Sequence, residues 1–149
     1  MLGIGAAVTL AAWIDSVFAQ NEFSTGSFNL EASVNGDDWA DYDTSGTAAA
    51  LAFPTGDMTP GDGPVYAGIS LRVEEGSDYE ADVDLAGATA SASDLNEFLT
   101  YNAYLVEDLA SCTEAGVDEL TPFATAGSND PLDDVAVGTV TNTATTVCF

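Results

Sequence analysis

The stretch Val65–Val73, which reads Val-Tyr-Ala-Gly-Ile-Ser-Leu-Arg-Val, carries the pattern that decides the fold. Apolar side chains occupy every second position from Val65 to Val73, and Tyr66, Ser70 and Arg72 lie between them. Successive side chains of a β-strand point to opposite faces. The alternation therefore predicts a strand with one face in a core and the other face toward solvent.

The same kind of segment recurs along the rest of the chain. Further strands are predicted over Ser27–Val34, Ala48–Phe53, Tyr79–Leu85, Val135–Val140 and Ala144–Phe149. Residues 94–109 fit a helical stripe and a strand equally well, and we favour a short helical turn at 94–98, capped by Asp94, followed by a strand. Polar turns are predicted at 35–47, 54–64, 74–78, 111–118 and 124–134. About seven short strands with frequent turns predict one all-β sandwich with one short helical turn.

The charge balance of the chain excludes several classes of function. Among 149 residues there are 25 acidic side chains, one basic side chain (Arg72) and no His, for a net charge of -24. A Ser-His-Asp triad and a His-based zinc site cannot be built without His. One Arg cannot neutralise a phosphate backbone, so nucleic acid is excluded as a partner, and anionic membranes should repel the domain. The hydrophobic fraction of 46% predicts a folded chain rather than a disordered one.

The first residues resemble part of a secretory signal. The uncharged apolar run Leu2–Ile14 is too short to span a membrane and fits a signal h-region, although a buried strand or helix would give the same pattern. The basic segment that normally precedes it is missing, so we expect the true start to lie upstream. Cleavage after Ala19 would leave Gln20 first, and cleavage after Ala12 would leave Trp13 first.

The two cysteines agree with export. Cys112 and Cys148 allow one pairing, and an exported chain predicts a disulfide between them. Two buried free thiols are the alternative.

Three motifs, in order along the chain, resemble the TasA/camelysin-type exported proteins. They are Ala11–Ser16 at the signal junction, Phe23–Leu30 followed by Asn35-Gly36, and the turn Met58–Asp62 before the strand at Val65–Val73. The resemblance implies a jelly-roll-like antiparallel β-sandwich and a signal cut after Ala12 by a dedicated signal peptidase. It divides the chain into a signal remnant, 1–12, and a sandwich domain, 13–149. Relatives continue past the strand that ends at Phe149, so we expect either truncation at the C-terminus or an open sheet edge there.

The resemblance also bears on function. Better-known relatives assemble into extracellular or biofilm matrix filaments, so a secreted, non-enzymatic structural protein of the cell surface or matrix is expected. Its partners are copies of itself and, during export, the signal peptidase, with no stable membrane association after cleavage. Camelysin has been classed as a metalloprotease, but without His only carboxylates could hold a metal here.

The freed segment Trp13–Ser24 is the predicted donor strand. It places five apolar side chains among polar ones, and it can add to the open edge of a neighbouring subunit as a β-strand. Head-to-tail addition that does not close gives a filament. The alternative is a strand folded back on its own sheet. The donor side chains are Trp13, Ile14, Val17, Phe18 and Phe23.

Two acidic loops and a set of aromatic residues support a second hypothesis, a monomeric secreted module that binds carbohydrate or calcium. The loops are 36–43 and 124–134, and they are equally well explained as solvated turns. No cofactor is expected other than calcium, whose candidate ligands are Asp37, Asp38, Asp41 and Asp43. Aromatic residues that can stack on a sugar, or else serve as core or edge residues, are Trp39, Tyr42, Tyr66, Tyr101 and Tyr104.

Overall fold

The computed structural model describes residues 28–44, 46–54, 61–87, 99–127 and 130–149. Within these ranges a 3-10 turn, Leu109–Ser111, and a one-turn helix α1, Glu114–Val117, lie between the fourth and fifth strands. No helix in the described ranges has the length and apolar character needed to cross a membrane. The strands are β1 (Leu30–Ser33), β2 (Gly68–Val73), β3 (Ala81–Gly87), β4 (Thr100–Val106), β5 (Ala124–Gly127), β6 (Pro131–Val140) and β7 (Thr145–Cys148).

The strands form two antiparallel sheets, which confirms the predicted all-β, sandwich-like fold. The larger sheet has the order β1-β2-β7-β4-β5, and the smaller sheet pairs β3 with β6. Buried apolar residues from both sheets meet in two clusters, one around Val73 and Val140 and the other around Ala103, Val137 and Val147. The core therefore lies between the two sheets, and removal of its apolar surface from water is the main stabilising contribution.

The faces of β2 agree with the alternation read from the sequence. Ile69, Leu71 and Val73 pack against the core clusters, and Ser70 and Arg72 point to the opposite face. The strand begins at Gly68 rather than Val65, but Ala67 and Phe149 exchange two backbone hydrogen bonds of 3.0 and 2.9 Å just before it. We call the side of the larger sheet that faces away from β3 and β6 its outer face.

Two predicted elements differ from the structure. Ala48–Phe53 is not a strand, since no described strand pairs with it and Phe53 is exposed. In its place β5 completes the series of seven, inside the segment predicted as a turn at 124–134. Its residues, Ala-Thr-Ala-Gly, are too small to give a hydrophobic alternation, and pairing with β4 makes them a strand. The helical turn predicted at 94–98 lies outside the described residues.

The last strand is not an edge, and the predicted open edge at the C-terminus is wrong. β7 lies between β2 and β4 and pairs with both in antiparallel register. The reason is topological, because the chain returns to the middle of the larger sheet after β6. Among the described strands, the edges of that sheet are β1 and β5.

Candidate functional site

The predicted disulfide is present, and it attaches the helical segment that follows β4 to the outer face of the larger sheet. Cys112 joins Cys148 with a Cα–Cα distance of 5.3 Å, and Cys148 is fully buried. Because the neighbouring Val147 points into the core, Cys148 points to the outer face. The bond therefore ties the helical segment after β4 onto that face.

The residues around the 3-10 turn pack closely against the strands beneath them. Asp108 caps the turn, because its Oδ1 accepts hydrogen bonds from the Ser111 hydroxyl and backbone N–H, both at 2.8 Å. These hydrogen bonds stabilise the carboxylate and lower the pKa of Asp108. The Leu109 side chain lies over Gly68, where an added Cβ would be 2.9 Å from Leu109 Cδ2. A glycine in β2 is therefore what allows this close approach.

Arg72, the single basic residue, holds the loop after β1 against the outer face. Its Nε and Nη2 donate to Glu31 Oε2 at 3.1 and 3.0 Å, across the β1–β2 pair. Its guanidinium carbon lies 4.1 Å from the ring centre of Trp39, a cation–π contact. Two backbone hydrogen bonds of 3.0 Å between Ala32 and Ala40 bring the loop back along β1.

The loop itself is a tight turn built by polar side chains. Asn35 Oδ1 accepts from the backbone N–H groups of Asp37 and Asp38 at 3.0 and 2.9 Å, and Gly36 has a φ of +85°. Asn35 thus directs the chain into the turn that carries Trp39 to Arg72. The sequence dipeptide Asn35-Gly36 indicated this turn correctly.

The candidate calcium ligands do not converge. Asp37, Asp38, Asp41 and Asp43 are all exposed, and Asp38 accepts a hydrogen bond from Asn35 Nδ2 at 2.8 Å. In the described part of the chain, which includes all four, no three acidic or cysteine side chains are grouped as metal ligands would be. Calcium binding at this loop stays a prediction without geometric support.

The aromatic residues do not form one sugar-stacking face. Trp39 lies over Arg72 near the β1 edge, whereas Tyr104 lies on the outer face of β4, which is two strands away from β2 in the larger sheet. Tyr101 points the other way and packs on Phe149, with ring centres 6.3 Å apart. The pKa of Tyr101 is raised mainly by burial and to a lesser extent by the negative charge of Asp130. The pKa of Tyr66 is raised mainly by burial and to a lesser extent by the negative charge of Glu114.

The two loops of the second hypothesis are also separated. Loop 36–43 returns along β1, and the 124–134 segment contains β5, so they lie at opposite edges of the larger sheet. Neighbouring strands are about 4.8 Å apart, which puts about 19 Å between these edges. The loops cannot both contact one small ligand.

A groove on the outer face is the feature that sequence reasoning missed. It has a volume of about 300 Å³ and lies between the loop after β1 and the segment after β4. Ser70 and Thr146 are buried beneath it, and their hydroxyl oxygens are 2.8 Å apart. The residues that line it are Gly36, Trp39, Ser70, Glu107, Asp108, Leu109, Ala110, Ala144 and Thr146.

The predicted donor strand lies outside the described residues, so the structure gives no position for Trp13, Ile14, Val17, Phe18 or Phe23. Comparison with protein-family models, curated proteins and solved structures finds no match to this chain.

Proposed function

We propose that this protein is an exported, non-enzymatic structural protein of the cell surface or extracellular matrix. It polymerises when residues 13–24 of one copy add as a strand to a sheet edge of the next copy. The observation that carries this proposal is the set of strand edges without a described neighbour. β5 has one partner in the larger sheet, and β3 and β6 pair only with each other among the described strands.

β5 is the edge best suited to accept a strand. An edge strand offers unpaired backbone N–H and C=O groups, and charges or irregularities on an edge oppose pairing. β3 carries the exposed carboxylates of Asp82 and Asp84, and β6 is interrupted by positive φ values of +42° at Asp134 and +126° at Gly138. Within β5, Ala-Thr-Ala-Gly, there is no charged side chain and no positive φ, and the nearest carboxylate, that of Asp130, accepts a hydrogen bond from Gly127 N–H at the end of the strand.

The disulfide supports the extracellular part of the proposal. Disulfides persist in oxidising compartments and are rare in the cytosol of most organisms. The core also makes a disulfide useful, because many of its buried residues are Ala and Val, whose small side chains bury little apolar surface. A covalent link is therefore a useful addition to the stability of a domain that works outside the cell.

Assembly of these subunits should depend strongly on ionic strength. Residues 1–12 contain no charged side chain, so a chain that begins at Trp13 keeps the net charge of -24. The Debye length falls from about 30 Å at 0.01 M salt to about 8 Å at 0.15 M, which screens the repulsion between subunits. We expect light scattering of the oxidised protein at neutral pH to rise at least about tenfold faster at the higher salt.

Acid and calcium should act in the same direction, because protons and divalent cations both reduce the negative charge. An equal osmolality of sucrose in place of salt is the control, and it should leave assembly slow. Assembly that is fastest in salt-free neutral buffer would contradict the proposal.

A further inference from the structure

The floor of the outer-face groove contains a hydroxyl proton that the Ser70–Thr146 hydrogen bond does not use. Ser70 and Thr146 are 5% and 3% exposed, and their hydroxyls are 2.8 Å apart. Each hydroxyl has one proton to donate, and the bond between them uses one of the two. The second proton has no acceptor among the described residues. A ligand in the groove can supply one.

The rim of the same groove offers acceptors. Glu107 and Asp108 line it, both side chains are exposed, and no described group donates a hydrogen bond to Glu107. The hydrogen bonds of its cap lower the pKa of Asp108 and so favour its carboxylate form. A ligand that fits both floor and rim must therefore accept one hydrogen bond and donate others.

The walls of the groove are apolar and held in place. Trp39, Leu109 and Ala110 contribute indole and aliphatic surface. Arg72 is not among the lining residues, but its contact with the Trp39 ring at 4.1 Å fixes the indole. Leu109 is fixed by its packing over Gly68. A rigid aromatic wall favours a ligand with a flat apolar face.

We propose that this groove binds a neutral saccharide. The hydroxyls of a sugar ring both accept and donate, so they match the floor hydroxyl and the two carboxylates. The C–H groups of the sugar match the apolar surface of Trp39, Leu109 and Ala110 along the wall. An anionic sugar is disfavoured by a net charge of -24. An alkylammonium ion has no acceptor for the floor proton. Loop 36–43 contributes Gly36 and Trp39 to the lining of this groove, and the lining includes no residue of the 124–134 segment.

Tryptophan fluorescence and amide NMR shifts of the full oxidised chain test this assignment. The chain has two Trp, so Trp13→Phe leaves Trp39 as the single reporter. The probes are cellotriose, maltotriose, mannotriose and N,N′-diacetylchitobiose, each up to about 10 mM because a shallow groove binds weakly. We expect saturable binding of at least one probe, with shifts at Ser70, Leu109 and Thr146, and no binding of trigalacturonate.

The decisive variant is Glu107→Gln, which removes a charge and keeps the side-chain shape. It should raise the Kd about tenfold, the expected effect of losing a hydrogen bond to a charged group. Glu119→Gln removes the same charge at an exposed position outside the groove and should leave the Kd unchanged. Trp39→Phe, which keeps an aromatic ring, should weaken binding less than Trp39→Ala. The proposal is overturned if none of the neutral probes binds, if butylammonium binds in their place, or if the two glutamine variants weaken binding equally.

Discussion

Removing the disulfide should cost about 4 kcal/mol of the free energy of unfolding. The bond joins residues 36 positions apart. Closing a loop of that length lowers the entropy of the unfolded chain, which corresponds to about 4 kcal/mol of stability at 25 °C. Cys112→Ala/Cys148→Ala is the variant of choice, because alanine adds no polar atom at the fully buried Cys148. Many domains have a total stability of only about 5–15 kcal/mol, so the variant should unfold at much lower urea concentration.

Reductant provides the matched control for this prediction. It should destabilise the native protein by a similar amount and leave the double alanine variant unchanged. Amide exchange should also show where the loss begins, with the segment after β4 opening before the strands of the core. A loss below about 1 kcal/mol would mean that the bond constrains neither the unfolded chain nor the covering of the outer face.

Replacing Arg72 by Met should cost about 2 kcal/mol and free the loop that carries Trp39. The change removes two hydrogen bonds to Glu31 and the cation–π contact with the indole. It also leaves the Glu31 side chain, 15% exposed, without its partner. Arg72 is 31% exposed, so solvent screens part of the ion pair and keeps the cost moderate. Urea unfolding measures the loss, and in a Trp13→Phe background, where Trp39 is the single reporter, a red shift of the emission reports release of the loop.

Arg72→Lys separates charge from geometry at this position. Lysine keeps the net charge of -24 but cannot donate from two nitrogens of one planar group. We expect a loss smaller than that of Arg72→Met and larger than zero. If the native protein and Arg72→Met were equally stable within about 0.5 kcal/mol, the contacts of Arg72 with Glu31 and Trp39 would not stabilise the loop.

The strands with strong alternation could be predicted because the alternation of apolar and polar residues identifies which face of each strand is buried. β2 has Ile69, Leu71 and Val73 at alternate positions, β3 has Ala81, Val83 and Leu85, and the structure places these residues on the core side. β5 could not be predicted, since Ala and Gly carry little signal in either direction and only the pairing with β4 defines the strand. The strand predicted at Ala48–Phe53 was wrong for the opposite reason. Its sequence is apolar enough for a strand, but an apolar run forms a strand only where another strand pairs with it.

The disulfide could be predicted because two cysteines allow one pairing and the N-terminal sequence led us to expect export to an oxidising compartment. The groove could not, since it depends on strand order. Ser70, Trp39 and Glu107 are far apart in sequence, and they meet because β7 lies between β2 and β4 and the disulfide draws the next segment over them. One signal was available: Gly68, the only glycine within the alternating stretch, marked a position where another part of the chain approaches closely.

Negative-stain electron microscopy of two N-terminal forms tests the central claim, strand donation by residues 13–24, most directly. The oxidised protein beginning at Trp13 and the oxidised protein beginning at Gln20 are compared at the same concentration in physiological salt. The second form lacks four of the five predicted donor side chains and retains Phe23. Strand donation by residues 13–24 predicts filaments from the Trp13 form and dispersed particles from the Gln20 form. Filaments from both forms, or from neither, would contradict strand donation by this segment.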